Sequence, residues 1–229
     1  HLQRFLREAE LSAMLNHPNI VKTYMFGVEN SIPYIAMEYI EGERLDDYIR
    51  RTNPDFKEKA NIIKLVAEAL NYAHSKEIIH RDIKPSNILI KSNGTPILMD
   101  FGLAKSERID KKLTATGQAI GTPQYMSPEQ ARGEKKIDKK SDIFSLGVVL
   151  YQVVTGNLPF TGNTSLHIII QIINKYPPLP KEVNSRISNK LEAIILKSMA
   201  KNKEKRYLDA GEMAEDLNNF LNNDNVNAM

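Results

Sequence analysis

The sequence predicts an α+β fold in which a short strand-bearing front leads into a larger helical body. Two strand-like stretches, Ile20 to Val28 and Pro33 to Tyr39, lie before Glu41-Gly42, and beyond it apolar residues recur at helical spacing. The 229 residues, 41% hydrophobic and 26% charged, have an ordinary globular composition, and a chain of this length buries a core without staples. No cysteine is present. Disulfide, thiolate-metal and cysteine-nucleophile chemistry are therefore excluded. The formal net charge of +3 is too small and too dispersed to make nucleic acid an expected partner.

The first element is an amphipathic helix over residues 2 to 15, with apolar positions 2, 5, 6, 9, 11, 14 and 15, stopped by Asn16-His17-Pro18-Asn19. After the two strands, Leu45 to Arg50 reads as a short helix. Phe56 to His74 reads as a long one, with Ile62, Ile63, Val66, Ala69, Leu70 and Ala73 on one stripe. Strand pieces Ile88 to Ile90 and Pro96 to Met99 flank a turn at Asn93-Gly94. Leu103 to Thr122 is polar, irregular and too long for a passive connection, which marks it as functional. Helical patterns then run over 139–155, 164–174, 188–200 and 209–222. The most apolar of these, Ile143 to Val154, is interrupted by Ser145, Gly147 and Gln152 and reads as a buried core helix, so no membrane segment is expected in this chain. A signal peptide is not visible, and a cytoplasmic location is expected, though an anchor could lie outside this segment. The expected division places residues 1–40 in one part and 41–229 in the other, with a ligand cleft between them.

The chemistry concentrates in His80-Arg81-Asp82-Ile83-Lys84-Pro85-Ser86-Asn87 and in Asp100-Phe101-Gly102 after the next hairpin. These residue types offer hard oxygens for a metal, an ammonium for a phosphoryl group and a carboxylate for an attacking hydroxyl, the parts needed to handle a magnesium-bound polyphosphate. A lone aspartate in a loop is ordinarily just solvated charge; the joint spacing is what speaks for chemistry.

HRDIKPSN, DFG and the later GTPQYMSPE, in this order and at this spacing, resemble the eukaryotic-type protein kinase family, and more narrowly its bacterial serine/threonine members. The resemblance covers essentially the whole chain and implies a bilobal fold, the substrate ATP and the cofactor Mg2+. It implies further that Asp82 accepts or orients the proton of the substrate hydroxyl, that Lys84 contacts the γ-phosphate and that Asn87 and Asp100 hold magnesium. Thr122 resembles the loop threonine that bonds to the catalytic Asp and Lys; a turn residue before Pro123 is the plain alternative. Met37 would stand at the back of the adenine slot, Glu38 and Ile40 would present backbone groups to the base, and Leu89 would form its floor. Ordinary core packing accounts equally well for Met37 and Leu89. Glu8 sits where the family has a glutamate that pairs with a strand lysine. Asp142 resembles the aspartate that fixes the catalytic-loop backbone, and Glu129 the glutamate paired with a distant arginine, here Arg206. Arg81 implies pairing with a phosphorylated residue of the activation segment, where Thr114 and Thr116 are the candidates for autophosphorylation.

The family's glycine-rich loop and its V-A-I-K strand lysine are absent from the sequence, as a scan of its eleven glycines shows. In the family both come just before helix C, where this sequence begins, and it begins with His1; both are therefore expected upstream. On its own the chain is expected to bind nucleotide weakly and to transfer phosphate slowly or not at all. The alternative reading is a catalytically impaired kinase-like binding or scaffold module, against which the intact set of Asp82, Asn87 and Asp100 argues. A small-molecule phosphotransferase is disfavoured by GTPQYMSPE, which resembles a platform for a protein substrate. His17, His74 and His167 lack metal-ligand spacing and are expected in core or surface roles. Lys201 to Arg206 is expected to be a solvated connection between helices.

Overall fold

In the computed structural model, which describes residues 9–30, 32–101 and 123–229, the chain is α+β, with two short antiparallel sheets within residues 23–98, two helices between strands of the second, and helices from residue 128 onward. Residues 9–13 are helical, and Ala9 and Leu15 are buried. β1 (Thr23–Glu29) and β2 (Ile32–Met37) pair antiparallel, with Phe26 opposite Ile35 and Val28 opposite Pro33. Backbone bonds tie this front to the strand around Leu98: the Val21 N–H donates to the Leu98 carbonyl at 3.0 Å, and the Leu98 N–H donates to the Asn19 carbonyl at 2.8 Å.

A second sheet has the order β3 (Gly42–Arg44), β4 (Ile88–Lys91), β5 (Pro96–Leu98). The sequence did not suggest β3, because three residues are too few to show alternation. A Cβ at Gly42 would lie 2.5 Å from the Ile90 carbonyl oxygen, so glycine is what lets β3 approach β4. Gly94 at φ 81° makes the β4–β5 turn.

Helices α1 (Leu45–Thr52) and α2 (Phe56–Ser75) come after β3, separated by Asn53 in the left-handed region and by Asp55, whose side chain caps α2 by accepting from the Glu58 N–H. The predicted stripe of α2 is buried. After the short α3 (Pro128–Ala131) comes α4 (Lys139–Thr155), the predicted core helix, buried nearly all round and ended by Gly156 at φ 78°. Around it stand α5 (Ser165–Asn174), α6 (Pro180–Val183), α7 (Asn189–Ser198) and α8 (Ala210–Asn222). The main core joins α2, α4, α7 and α8 with β4; a smaller cluster of Val21, Ile40 and Ile97, against which Met37, Leu89 and Met99 pack, lies where the two sheets meet.

Gly147 lets α4 pack closely on α7, because a Cβ there would collide with the Ser198 side chain. Gly147→Ala is expected to destabilise the fold by about 1–3 kcal/mol through overpacking. Thermal unfolding followed by circular dichroism measures this; an unchanged midpoint would contradict so close an approach.

The basic run departs from expectation at its two ends. Asn202, Glu204 and Lys205 are exposed, but Arg206 is 4% exposed, and the half-buried Lys201 donates to the Ile172 carbonyl at the end of α5 and lies 4.0 Å from the Phe160 ring centroid. Burial pushes the Lys201 ammonium down to about 8, with the nearby Arg206 charge adding to the effect. Local charge count cannot reveal such burial, since the partners come from elsewhere in the chain. Among the described residues no helix is long and apolar enough to cross a membrane.

Candidate active site

The loop from His80 to Asn87 is fastened from below by one carboxylate. Asp142, in the first turn of α4 and 1% exposed, accepts from the His80 N–H (2.8 Å) and the His74 Nε2–H (2.8 Å) through Oδ2, and from the Arg81 N–H (2.7 Å) through Oδ1. Gln130 adds a fourth tie by donating from its side-chain amide to the Arg81 carbonyl at 2.9 Å. Gln130 is itself held by a capping box with Ser127 at the start of α3. These bonds hold Arg81 at φ 66°, a conformation that costs a non-glycine residue about 1–2 kcal/mol. Asp100 has the same kind of backbone, at φ 55°. Two of the six non-glycine residues at positive φ among those described thus flank this one site.

His80 couples the loop to the strand end that carries Asp100. Fully buried, it accepts from the Asp82 N–H at Nδ1 (3.2 Å) and donates from Nε2 to the Met99 carbonyl (2.7 Å), while its ring lies 4.7 Å from that of Phe101. The Met99 N–H in turn donates to the Asn87 carbonyl at 2.8 Å. Met99 is therefore bonded on both sides to the catalytic-loop segment, which brings Asp100 to it. Within the loop, Asp82 Oδ2 accepts from the Lys84 ammonium (3.0 Å) and from Asn87 Nδ2 (3.3 Å), and Asn87 Nδ2 also donates to the Asp82 carbonyl (2.8 Å). With its NH2 turned to Asp82, Asn87 has its amide oxygen on the other side. Asp100 is exposed.

The two bonds of His80 require the neutral imidazole, because Nδ1 faces a donor and Nε2 an acceptor. Burial pushes its pKa down, overcoming the opposing pull of Asp142 and of the Met99 bond. With the folded value below the unfolded value of about 6.5, the unfolded chain binds the extra proton first; the stabilisation is complete above about pH 6.5 and declines as pH falls below it. Urea midpoints from pH 7.5 to 5 are expected to fall with acidification, and more shallowly in His80→Gln; parallel slopes would show that His80 is not the titrating group.

The adenine-slot candidates converge at the junction of the two sheets. Met37 and Leu89 pack partly buried against Ile40, which is 7% exposed. The Glu38 N–H donates to the Lys22 carbonyl at 2.8 Å, so of its backbone only the carbonyl could face a base; its carboxylate reaches Lys91 at 3.5 Å. Glu129 and Arg206 form a buried two-point pair at 2.7 and 2.9 Å, and Glu129 also accepts from Ser141 Oγ at 2.6 Å. Glu8, Gly102, Thr114, Thr116 and Thr122 lie outside the described residues, as does the polar segment from Leu103 to Thr122.

Sequence reasoning missed His80, His74 and Gln130 as the residues that hold the loop. His74 is buried against Asp142 across 68 positions, a separation that leaves no local pattern. Gln130 had a readable signal, since Ser127-Pro128-Glu129-Gln130 has the capping-box spacing. His17 stacks on Tyr72 and accepts from the Asn19 N–H, and the exposed His167 approaches Gln171.

Comparison with known proteins agrees with this geometry. Residues 1–216 match the protein kinase domain, and the chain belongs to the protein kinase family. Proteins of this family use ATP and a divalent metal. The chain is 43% identical over 219 residues to the serine/threonine-protein kinase PknB of Mycobacterium leprae, covering 93% of this chain and 35% of that protein. It is 40% identical over 227 residues to the serine/threonine-protein kinase PrkC of Bacillus subtilis, covering 99% of this chain and 35% of that one. The chain thus spans about a third of the length of these relatives.

Proposed function

We propose that this protein transfers the γ-phosphoryl group of ATP to serine or threonine hydroxyls of protein substrates. The observation that carries the proposal is the bonded unit of Asp82, Lys84 and Asn87, tied through His80 and Met99 to Asp100. Asp82 orients the substrate hydroxyl and takes its proton as the oxygen bonds to the γ-phosphorus and the bond to ADP breaks. Lys84, a short distance from Asp82, places positive charge on the transferred group. The names of the relatives, all serine/threonine-protein kinases, favour these hydroxyls as acceptors.

The donor set suits magnesium: the Asn87 amide oxygen and the Asp100 carboxylate are hard ligands, and a site with so few protein ligands leaves positions for phosphate oxygens and water. Among the described residues no cluster of three or more His, Cys, Asp or Glu offers a self-sufficient protein cage. When bound there, the ion neutralises charge between the β- and γ-phosphates.

Adenine would stack between Met37 and Leu89 and meet the Glu38 carbonyl and the Ile40 N–H, in a cleft between a front part of residues 1–40 and a body of residues 41–229. Thr122 would bond to Asp82 and Lys84, and phosphorylation of Thr114 or Thr116 would pair that segment with Arg81. The setting is the cytoplasm.

Calorimetric titration of the full-length gene product with ADP tests the metal assignment. Magnesium is expected to tighten binding, and Asp100→Asn to remove that tightening. Binding indifferent to magnesium would overturn it.

A further inference from the structure

A second cavity, away from the candidate active site, lies at the base of the helical body. It measures about 450 Å³ and is bounded by the end of α1, the start of α2, the end of α4 and residues 184 and 186. That volume falls within the range typical of small-molecule sites. Its walls combine an apolar side, formed by Ile49, Phe56, Val153 and Val154, with polar groups that include two cations, Lys59 and Arg186, and one carboxylate, Asp55.

Lys59 is the unusual member. It sits on the buried side of α2, beside Ala60 and one turn before Ile62 and Ile63, and is 8% exposed. Among the described residues its ammonium has no hydrogen bond and no carboxylate within ion-pair distance; it stands over the face of Phe56, 5.7 Å from the ring centroid. Its stem is mostly buried, and an ammonium partly shielded from water is costly to leave without a counter-charge. Burial, with the Arg186 charge adding to it, pushes the Lys59 pKa down against the weaker opposing pull of Asp55.

We infer that this cavity binds a small amphiphilic monoanion, its carboxylate on Lys59 and Arg186 and its apolar body against Ile49, Phe56 and Val153. Charge sets the valence: Lys59 and Arg186 contribute two positive charges and the Asp55 carboxylate, also on the wall, one negative, leaving a balance that a single carboxylate neutralises. A dianion such as a phosphate monoester would meet Asp55 at close quarters. The apolar walls select a ligand with a hydrocarbon or aromatic body over a free inorganic ion. This inference does not depend on the phosphotransfer proposal.

Binding of 2-naphthoate and of its neutral analogue 2-naphthamide tests it, followed by methyl NMR of Ile49 and Val153 with ADP and magnesium present to fill the nucleotide cleft. The carboxylate is expected to shift these methyls saturably and to bind at least about tenfold tighter than the amide, as a charge-assisted contact would. Lys59→Met, which retains the apolar stem, is expected to abolish the preference; Arg186→Gln, at an exposed position, is expected to reduce it. Equal affinity for the two compounds, absence of saturable shifts at Ile49 and Val153, or a preference unchanged in both variants would overturn the inference.

Discussion

Asp82→Asn is expected to slow phosphoryl transfer by about 10²–10⁴-fold, the range that a positioned general acid or base contributes, while nucleotide affinity and the thermal midpoint stay within error. The substitution keeps the side chain's size and one oxygen able to accept from Lys84 and Asn87, so the loop geometry survives. What is lost is the group that, in the proposed function, takes the hydroxyl proton. The loop's main anchors, the bonds from His80 and Arg81 to Asp142 and from Gln130 to Arg81, do not involve the Asp82 side chain. A parallel loss of nucleotide binding or of folding would therefore reassign Asp82 to a structural role.

Glu129→Gln is expected to cost about 3–5 kcal/mol, because it leaves the Arg206 guanidinium buried without its counter-charge. For a domain of this size that corresponds to a fall in thermal midpoint of roughly 6–20 °C. Arg206 also donates to the carbonyls of Ala200 and Lys140, so it ties the segment around residue 200 to the start of α4, the same turn that carries Asp142. Burial alone would raise the Glu129 carboxyl, but the bonds and charge of Arg206, with Ser141, hold it down to about 2, against an ordinary value of 4.5. With the folded pKa the lower one, this stabilisation is complete above about pH 4.5 and is lost as pH falls through that range toward 2. Chemical denaturation at pH 7 and pH 3 checks both points: the gap between the protein and Glu129→Gln should be wide at pH 7 and narrower at pH 3. A gap of equal width would show that the carboxylate charge is not what matters.

Elements with their own periodicity were legible in the sequence. The helix expected over 139–155 is present, and α2 agrees with its expected span to within one residue, because apolar spacing at about 3.6 residues per turn is a local signal. The strands were found with shifted ends: Thr23–Glu29 for Ile20 to Val28, and Ile32–Met37 for Pro33 to Tyr39. Ile20 instead makes an isolated parallel bridge to Leu98, which no local pattern reports. The site residues were legible as types at a spacing. Their support was not, since Asp142 meets His74 and His80 only after α2 and α4 have packed, and Arg81 is held at positive φ by bonds to Asp142 and from Gln130. The ends of the basic run differ from expectation for the same reason: how far Lys201 and Arg206 see water depends on α5 and Glu129, not on their neighbours in sequence.

The most direct test of the central claim is transfer of labelled γ-phosphate from ATP to a serine- and threonine-bearing protein by the full-length gene product, with and without magnesium. Phosphoserine or phosphothreonine is expected to accumulate only with the metal, and to fall by orders of magnitude in Asp82→Asn. Nucleotide and magnesium binding with no transfer, or transfer indifferent to Asp82→Asn, would contradict it.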